Sequence, residues 1–412
     1  MPLYFFLLII SYIFSYFFTQ HHTIHLVVHY GGGLTIELGS MESFLHLFLK
    51  KSKEYRIMTD KIKVFLNGLG NTGVTIFRNW VELLNEDKAF FDIVAIGSTS
   101  SIDVKTHKIN YNTNYGRFPY NVFPEYHEWI LLQDFEKRIQ CFASKDPSKL
   151  PLNDLEIDVV IEATGKFRTK EGVQKYLDAG AGQVFVSAPF KGEDASETSD
   201  ATLIWGINHE KYDLPKKFRV VSNASCTTHA LAPAVKVLNS NLNIVSAMFS
   251  TIHAGTSSQK VVDGSDPKDW RRARNALENI IPTTTGADKV IGIIFPEMKE
   301  KIKGSAIRVP TSTVSIIELY CIVDKSTTVE EVNNLFKTAS ETYMKGHIEY
   351  VVDPLVSSDF KGSIYACSFD PLLTQVIDGK FVKVTLWYDN EWGYSYRMVQ
   401  LLNHIAKVNL GL

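Results

Sequence analysis

The sequence predicts an α/β protein in which a doubly wound parallel sheet is followed by an α+β domain with a mostly antiparallel sheet. In the first half of the chain, short apolar segments alternate with amphipathic ones at the spacing of β-α-β units. Beyond Asn223, longer runs of alternating polar and apolar residues favour antiparallel strands. The length of 412 residues and the hydrophobic fraction of 45% suffice for two or three domains with their own cores.

Charge and cysteine content exclude several classes of protein. With 43 Lys and Arg against 45 Asp and Glu, the net charge is -2, which gives no support to nucleic-acid binding. Cys141, Cys226, Cys321 and Cys367 form no C-x-x-C pair and are too few for a disulfide framework. We therefore expect a reducing, cytoplasmic environment, and we expect no metal site.

The first 57 residues depart from this average composition. Residues 3–18 are apolar or aromatic apart from two serines, which is short of the roughly 20 residues that a spanning helix needs. No Lys or Arg precedes Lys50, unlike in a secretory signal. We interpret residues 1–57 as an extension outside the predicted fold. A start placed too early, upstream of Met41 or Met58, is the preferred explanation, followed by a targeting segment and then a membrane anchor, and no membrane is expected for the remainder.

The apolar pattern predicts the individual elements. Parallel strands are expected at residues 61–66, 91–96, 157–161, 184–189 and 201–206, with a helix at 72–84. In the second half, strands are expected at 245–252, 306–309, 314–323 and 380–387, and helices at 228–239, 328–345 and 391–407.

A glycine-rich turn joins the first predicted strand to the first predicted helix. Gly68, Gly70 and Gly73 form the pattern G-x-G-x-x-G. In this pattern the first glycine permits a tight turn, the second lets the backbone approach a pyrophosphate, and the third allows the helix to pack on the strand. The phosphates would lie at the helix N-terminus, which favours anions. This position predicts a Rossmann domain that binds a dinucleotide.

The second strand lacks the acidic residue that usually binds the ribose 2′-hydroxyl of NAD. It ends instead in G-S-T-S at residues 97–100. Without a carboxylate there, the 2′-phosphate of NADP meets no repulsion. We expect NAD as the cofactor, and the missing carboxylate makes NADP an alternative.

Cys226 is the candidate nucleophile because it lies among small hydroxyl residues directly before a predicted helix. A thiol at a helix N-terminus has a lowered pKa, and the neighbouring N–H groups can hold an oxyanion. His253, which ends a predicted strand, is a candidate base, although a satisfied surface histidine is the alternative. His229 is closer in sequence, but its place inside the helix would direct it elsewhere.

Five motifs resemble the signatures of phosphorylating glyceraldehyde-3-phosphate dehydrogenases, in the order of that family and at close to its spacing. They are S-N-A-S-C-T-T at 222–228, T-I-H-A at 251–254, N-I-I-P-T-T-T-G-A at 279–287, R-V-P-T at 308–311 and W-Y-D-N-E-W-G-Y at 387–394. Together with the glycine loop, the resemblance extends from about Met58 to Lys407.

The resemblance implies oxidative phosphorylation of glyceraldehyde 3-phosphate to 1,3-bisphosphoglycerate with NAD or NADP, in glycolysis or gluconeogenesis. Cys226 would form a thiohemiacetal and then a thioester, His253 would activate the thiol, and inorganic phosphate would release the product. The substrate and phosphate sites implied are Thr256, Arg272 and Arg308 for one anion, and Ser225, Thr227, Thr285 and Gly286 for the other. The cofactor-binding residues implied are Asn67, Gly68, Gly70, Asn71, Thr72, Gly73, Ser98, Lys145, Thr164, Gly165, Ser187, Asn390 and Tyr394.

The resemblance also implies the domain organisation and a homotetramer. Residues 58–224 would form the dinucleotide-binding domain and residues 225–388 the catalytic domain. Residues 389–412 would form a C-terminal helix that packs back on the cofactor domain.

Some positions depart from the family's pattern. Asn71 and Thr72 replace an Arg-Ile pair in the glycine loop, and Ser98 replaces an aspartate. Ser98 and Ser265 favour NADP, whereas the carboxylate of Asp266 disfavours a 2′-phosphate. The preference between NAD and NADP therefore stays open.

Two alternatives remain. Erythrose-4-phosphate dehydrogenase resembles this family throughout, but the T-T-T-G run at 283–286 favours the phosphorylating enzyme. A non-enzymatic binding protein on the same fold predicts the loss of Cys226, His253 or Arg308, and all three are present.

Overall fold

The computed structural model describes residues 26–30, 34–38, 61–191, 199–212, 218–257, 259–267 and 269–412. Residues 1–60 and 61–412 are two separate compact units. In the first unit, β1 (Leu26–Tyr30) pairs antiparallel with β2 (Leu34–Leu38). The apolar stretch 3–18 lies outside the described residues, as do both proposed starts. Among the described residues, no helix combines the length and apolar character that crossing a membrane requires.

The first sheet of the second unit has nine strands. Its strands, with a separate two-stranded ribbon β5–β6, are β3 (Ile62–Asn67), β4 (Phe91–Gly97), β5 (Tyr111–Asn112), β6 (Gly116–Arg117), β7 (Val122–Glu125), β8 (Trp129–Leu132), β9 (Lys137–Phe142), β10 (Val159–Glu162), β11 (Gln183–Val186), β12 (Ala201–Thr202) and β13 (Val220–Ser222). The order is β12-β13-β11-β10-β3-β4-β9-β8-β7. All neighbours from β12 to β9 are parallel, and only β8 and β7 are antiparallel. The predicted doubly wound parallel sheet is confirmed.

Among the described residues, three helices accompany this sheet: α1 (Asn71–Asn85), α2 (Ile102–Asn110) and α3 (Lys170–Asp178). The chain leaves the central strand β3 towards β4 on one side and later returns to β10 on the other. A ligand crevice is expected at such a reversal, outside the carboxyl ends of the strands. The glycine loop between β3 and α1 lies at this crevice.

The predicted strand at 201–206 is wrong beyond Thr202. The side chain of Asn208 binds the backbone at this point. Its Oδ1 accepts a hydrogen bond from the Ile204 N–H at 2.8 Å. Its Nδ2 donates to the Thr202 carbonyl at 2.9 Å. The chain therefore turns away from the sheet, with Gly206 at a positive φ of 84°.

The second sheet holds eight strands, most of them antiparallel as predicted. They are β14 (Ile244–Ala254), β15 (Ile281–Thr283), β16 (Ile302–Val309), β17 (Ser315–Val323), β18 (Ile348–Tyr350), β19 (Cys367–Phe369), β20 (Gln375–Ile377) and β21 (Phe381–Tyr388). The order is β15-β16-β14-β17-β21-β19-β18, and β20 pairs with β21. Only the β14–β16 and β18–β19 pairs are parallel.

Four further helices lie in the described part of this unit: α4 (Cys226–Leu242), α5 (Ala287–Ile294), α6 (Val329–Glu341) and α7 (Trp392–Asn409). Helix α4 is buried along almost its whole length within the core of the second sheet. Helix α7 packs on α1, where the hydroxyls of Thr75 and Ser395 lie 2.6 Å apart. The C-terminal helix α7 thus returns to the first sheet. The burial of α4 in the second core holds its first residue, Cys226, in place.

Candidate active site

Cys226 and His253 come from different elements and meet beside the second sheet. Cys226 is the first residue of α4, and His253 lies at the end of β14. The Cys226 Sγ lies 3.5 Å from the His253 Nε2. Ser225 fixes the start of the helix because its Oγ accepts a hydrogen bond from the Thr228 N–H at 3.2 Å. The fold therefore brings the two sequence-predicted residues within hydrogen-bonding reach.

Arg308 reaches the same place because β16 runs parallel to β14 with Arg308 in register with His253. Its Nη1 lies 2.5 Å from the His253 Nδ1 and donates to the Ala254 carbonyl at 3.0 Å. The His253 Nδ1 lies 2.8 Å from the same carbonyl oxygen. The guanidinium can only donate to Nδ1 and the carbonyl oxygen can only accept from it, so each tautomer of His253 finds a partner at Nδ1. The Nε2 atom faces the thiol.

The electrostatics of Cys226 differ from the prediction made from the sequence. Burial raises the pKa of the thiol, although the charge of Arg308 and hydrogen bonds with Thr227 lower it. Burial and the charge of Arg308 lower the pKa of His253 to about 3. The predicted lowering of the Cys226 pKa is wrong, because loss of solvation outweighs the helix N-terminus. The pair at neutral pH is a neutral thiol facing a neutral imidazole.

Tyr388 is a buried neighbour of this pair that the sequence did not single out. Its hydroxyl lies 3.1 Å from the Thr227 Oγ1 and 2.8 Å from the Thr251 Oγ1. Its ring meets the His253 ring edge to face, with centroids 5.9 Å apart. Tyr388 thus connects the start of α4 to β14. The only signal in the sequence was its place in the motif at 387–394.

Arg308 supplies positive charge beside the candidate nucleophile, and Arg272 acts on Arg308. Burial lowers the pKa of Arg308, and the charge of Arg272 acts in the same direction, which places Arg272 within electrostatic range. The Arg272 Nε lies 4.0 Å from the Asp266 Oδ2. Thr256 follows β14, and its Oγ1 donates to the Gln259 Oε1 at 2.8 Å. This set can attract an anion and hold it by charge-assisted hydrogen bonds.

The other predicted anion-binding residues stand at helix starts. Ser225 and Thr227 flank the nucleophile at the N-terminus of α4. Thr285 and Gly286 directly precede α5, and the Thr285 Oγ1 accepts from the Ala287 N–H at 3.3 Å. The space beside Gly286 is open. Helix starts present free N–H groups and a partial positive charge, which suit phosphate.

The glycine loop has the geometry that a dinucleotide pyrophosphate requires. Gly68 has a φ of 105°, and a Cβ there would lie 2.8 Å from the backbone of Ala163. At Gly73 a Cβ would lie 2.0 Å from the Gly68 carbonyl oxygen. Gly70, in contrast, faces open space. The first and third glycines therefore close the turn, and the second leaves room for phosphates at the start of α1.

Asn390 and Tyr394 follow β21 and bind residues close to the candidate nucleophile and base. The Ser315 hydroxyl donates to the Asn390 Oδ1 at 3.0 Å, which orients the amide. The Tyr394 hydroxyl donates to the Ala224 carbonyl at 3.3 Å. The Tyr394 ring meets His229 edge to face at 5.3 Å. Both residues are buried and fixed by neighbours, as a surface that positions a cofactor ring requires.

The side chain of Asn71 connects the glycine loop to the segment after β21. Its Nδ2 donates to the Glu391 Oε1 at 3.1 Å, and Asn114 donates to the other carboxylate oxygen at 3.2 Å. Thr72 follows at the start of α1, half-buried. Glu391 is thus held by two amides, and its burial raises the pKa of its carboxyl group.

A buried network that the sequence did not reveal lies at the carboxyl ends of β3 and β10. Glu162 accepts hydrogen bonds from the Asn67 Nδ2 at 3.2 Å, from the Thr164 N–H at 2.8 Å and from the Tyr176 hydroxyl. The network fixes the rim of the crevice. The remaining predicted cofactor residues lie at strand ends or in loops: Ser98 after β4, Lys145 exposed after β9, Gly165 after β10 and Ser187 after β11.

Within the ranges that the structure describes, no group of His, Cys, Asp and Glu is arranged to hold a metal ion.

Comparison with known proteins gives matches to both halves of the second unit. The sequence model described as the NAD-binding domain of glyceraldehyde 3-phosphate dehydrogenase matches residues 62–170, and the one described as the C-terminal domain matches residues 225–390. Glyceraldehyde-3-phosphate dehydrogenase of Geobacillus stearothermophilus is 42% identical over 349 residues, which cover 85% of this chain and 99% of the relative. The enzyme of the same name from Chlamydia pneumoniae is 40% identical over 346 residues, or 84% and 99% of the two chains. Glyceraldehyde-3-phosphate dehydrogenase 2 of Synechocystis sp. is 39% identical over 345 residues, or 84% and 98%.

Proposed function

This chain belongs to the glyceraldehyde-3-phosphate dehydrogenase family, and we propose that it converts glyceraldehyde 3-phosphate, NAD and phosphate to 1,3-bisphosphoglycerate in glycolysis or gluconeogenesis. The observation that carries the proposal is the convergence of Cys226, His253 and Arg308, with 3.5 Å between thiol and imidazole. In the tautomer that carries its proton on Nδ1, the Nε2 lone pair can accept the thiol proton as the sulfur attacks an aldehyde.

The first half of the reaction forms a bond at Cys226. The Sγ attacks the aldehyde carbon while its proton passes to the His253 Nε2, which gives a thiohemiacetal. The protonated imidazole and Arg308 then face the oxygen that was the carbonyl, and the imidazolium gives its proton to that oxygen, which completes the thiohemiacetal hydroxyl and leaves His253 neutral. NAD, when bound, would supply the hydride acceptor that the oxidation of the thiohemiacetal to a thioester requires. His253 takes the hydroxyl proton as the carbon–oxygen double bond re-forms.

The second half releases the product. A phosphate oxygen attacks the thioester carbon, the carbon–sulfur bond breaks, and the thiolate leaves with an acyl phosphate as the product. We assign the two anion sites to the arginine set, which is Thr256, Arg272 and Arg308, and to the two helix starts. The latter set is Ser225, Thr227, Thr285 and Gly286. Which site holds the substrate's phosphate is distinguishable by substitution in each set.

The cofactor fits the crevice of the first sheet. NAD would place its pyrophosphate at Gly70 and its nicotinamide carboxamide at Asn390, whose Oδ1 is already engaged by Ser315. The remaining cofactor contacts are assigned to the strand-end residues described above. We propose that NADP is accepted as well, because Ser98 leaves no carboxylate beside the ribose 2′ position.

The test is turnover by the purified full-length chain with glyceraldehyde 3-phosphate and NAD, with and without inorganic phosphate. We expect phosphate-dependent NADH formation, its abolition in Cys226→Ser, and near-normal turnover in the control Cys141→Ala. Turnover that is independent of phosphate, with a preference for erythrose 4-phosphate, would favour the erythrose-4-phosphate dehydrogenase alternative. Full turnover by Cys226→Ser would refute the mechanism.

We further propose a homotetramer. One face of the second sheet is open, and it carries large apolar side chains on adjacent strands. Met248 is 67% exposed, Ile322 is 47% exposed, and Phe381 stacks on Tyr320 at 6.3 Å. A contiguous apolar face of this kind is typical of a subunit interface.

Sedimentation velocity tests this assembly. We expect the wild type to sediment as a tetramer and Met248→Glu as a smaller species. The control Tyr126→Glu alters an even more exposed side chain in the β7–β8 turn and should leave the mass unchanged. A monomeric wild type would contradict the proposal.

The domain organisation is proposed as residues 58–224 for the cofactor, 225–388 for catalysis and 389–412 for the returning helix, which the packing of α7 on α1 supports.

We place the enzyme in the cytoplasm, because a nucleophilic Cys226 must stay reduced and the cysteines of the described residues are all free. Cell fractionation tests the location. N-terminal sequencing of the protein from its own cell tests whether residues 1–57 belong to it.

A further inference from the structure

Lys105 is a buried lysine under the loop that follows β4. It lies in α2, and only 4% of its surface is exposed. Its ammonium donates to the Ser100 carbonyl oxygen at 2.7 Å. A positive charge is therefore bound to the backbone of the loop of residues 97–101, which joins β4 to α2.

Within the described residues, no carboxylate forms an ion pair with Lys105. Its charge acts on the buried thiol of Cys141, whose pKa burial raises to about 11 and Lys105 lowers only in part. The ammonium therefore binds a carbonyl oxygen and acts on a neutral thiol, and neither group carries a negative charge. A buried charge without a counter-charge is unfavourable, so a lysine in this position indicates an anion that arrives with a ligand.

The loop above Lys105 is the one that meets the adenosine ribose in this class of fold. Ser98 stands at the strand end where an acidic residue would bind a 2′-hydroxyl. The Ser98 Oγ accepts a weak hydrogen bond from the Ser100 N–H at 3.4 Å. Ser100, whose carbonyl holds Lys105, is only two residues away, at most about 7 Å along the chain. A hydroxyl thus stands in place of the acid, and a cation binds the backbone two residues further along the same loop.

We propose that Lys105 is a specificity-determining residue that favours the 2′-phosphate of NADP at this loop. Its charge is fixed in a protein interior, where electrostatic interactions are weakly screened. It acts through the Ser98 loop, whose hydroxyls and N–H groups contact the phosphate. The inference rests on the dinucleotide-binding role proposed above, but not on the chemistry at Cys226.

Equilibrium binding of NAD and of NADP to the purified full-length protein tests the assignment without turnover. We expect the wild type to bind both, and Lys105→Met to bind NADP about tenfold more weakly while NAD binding changes little. Lys105→Arg retains the charge and should restore NADP binding. Lys108→Met, on the exposed side of the same helix, is the matched control and should leave the ratio of the two affinities unchanged.

The ratio of affinities separates a specific role from a structural one. A parallel loss of NAD and NADP binding in Lys105→Met would mean that Lys105 only supports the loop, and would overturn the proposal. An unchanged ratio, or a wild type that does not bind NADP, would overturn it as well. If Lys105→Met fails to fold, Lys105→Gln still decides, because it removes the charge but keeps an N–H donor for the Ser100 carbonyl, and it should weaken NADP binding alone. Failure of the enzymatic assay with normal cofactor binding would count against the proposed reaction only.

Discussion

Arg308 and His253 lie opposite each other on the parallel strands β16 and β14, and their nearest nitrogen atoms are 2.5 Å apart. Both side chains also point at the Ala254 carbonyl. The arginine charge lowers the pKa of the imidazole and acts to lower that of the Cys226 thiol. The arginine charge thus adds to burial in keeping the base neutral, and it opposes the effect of burial on the thiol.

Removal of this charge in Arg308→Met should raise the pKa of both Cys226 and His253. At a fixed pH near 8 the thiolate fraction then falls, and we expect alkylation of Cys226 by iodoacetamide to slow by about tenfold. The midpoint of its pH dependence should move upward. Turnover should fall by about a hundredfold or more, because the developing oxyanion also loses a donor.

Arg271→Met provides the control for this prediction, since Arg271 is exposed on the segment next to Arg272. Its alkylation profile should match that of the wild type. An unchanged midpoint in Arg308→Met would show that the arginine charge does not act on the thiol.

Tyr388→Phe tests the buried hydroxyl that joins Thr227 to Thr251. The variant leaves two buried hydroxyls short of a partner, which should lower the free energy of unfolding by about 1–3 kcal/mol. Because Thr227 adjoins Cys226, we also expect kcat to fall about tenfold while the KM for NAD stays constant. Tyr320→Phe, whose hydroxyl donates to Glu318 on the half-exposed sheet face, is the control. A loss of stability without a change in kcat would make Tyr388 purely structural.

The sequence could indicate the nucleophile and the base, but not the relation between them. Cys226 has a local signal in the hydroxyl-rich segment before a helix. The pairing of His253 with Arg308 depends on the register of two strands about 50 residues apart, which no local pattern contains. The resemblance implied that Arg308 is an anion ligand. Its effect on His253 depends on this register and is visible only in the fold.

Burial accounts for what the sequence predicted wrongly or did not reveal. The pKa of Cys226 was expected to be low from its place at a helix start, yet the core around α4 removes solvent and reverses the sign. Tyr388 in an apolar strand is indistinguishable by pattern from a core aromatic. A lysine on an amphipathic helix normally faces solvent, so the sequence did not indicate that Lys105 is buried.

Gly73 and Gly70 offer a matched pair of substitutions in the cofactor loop. A Cβ at residue 73 would lie 2.0 Å from the Gly68 carbonyl oxygen, so Gly73→Ala should lower the free energy of unfolding by about 3 kcal/mol. Gly70→Ala has space and should fold normally, but its methyl group would face the pyrophosphate and weaken NAD binding. Urea unfolding and NAD titration separate the two effects. Equal destabilisation by both variants would contradict the assigned roles.

Three histidines pack around one tryptophan where the first sheet, the second sheet and α7 meet. The Trp205 ring lies 4.2 Å from His209, 5.2 Å from His404 and 6.1 Å from His347. Burial lowers the pKa of all three, and that of His347 to about 3 with the charge of Arg397 contributing. The folded state therefore binds these protons less readily than the unfolded chain, where a histidine pKa is about 6.5.

Stability should consequently be retained above about pH 6.5 and decline as the pH falls, because the unfolded state takes up more protons. For His347 alone, we expect a loss of about 2 kcal/mol between pH 7 and pH 4.5. Guanidinium unfolding at fixed protein concentration across this range measures the slope. His347→Gln keeps an acceptor for Arg397 but cannot titrate, so its slope should be shallower. His127→Gln, at an exposed turn, should retain the wild-type slope, and an equally steep slope in His347→Gln would exclude His347 as the source.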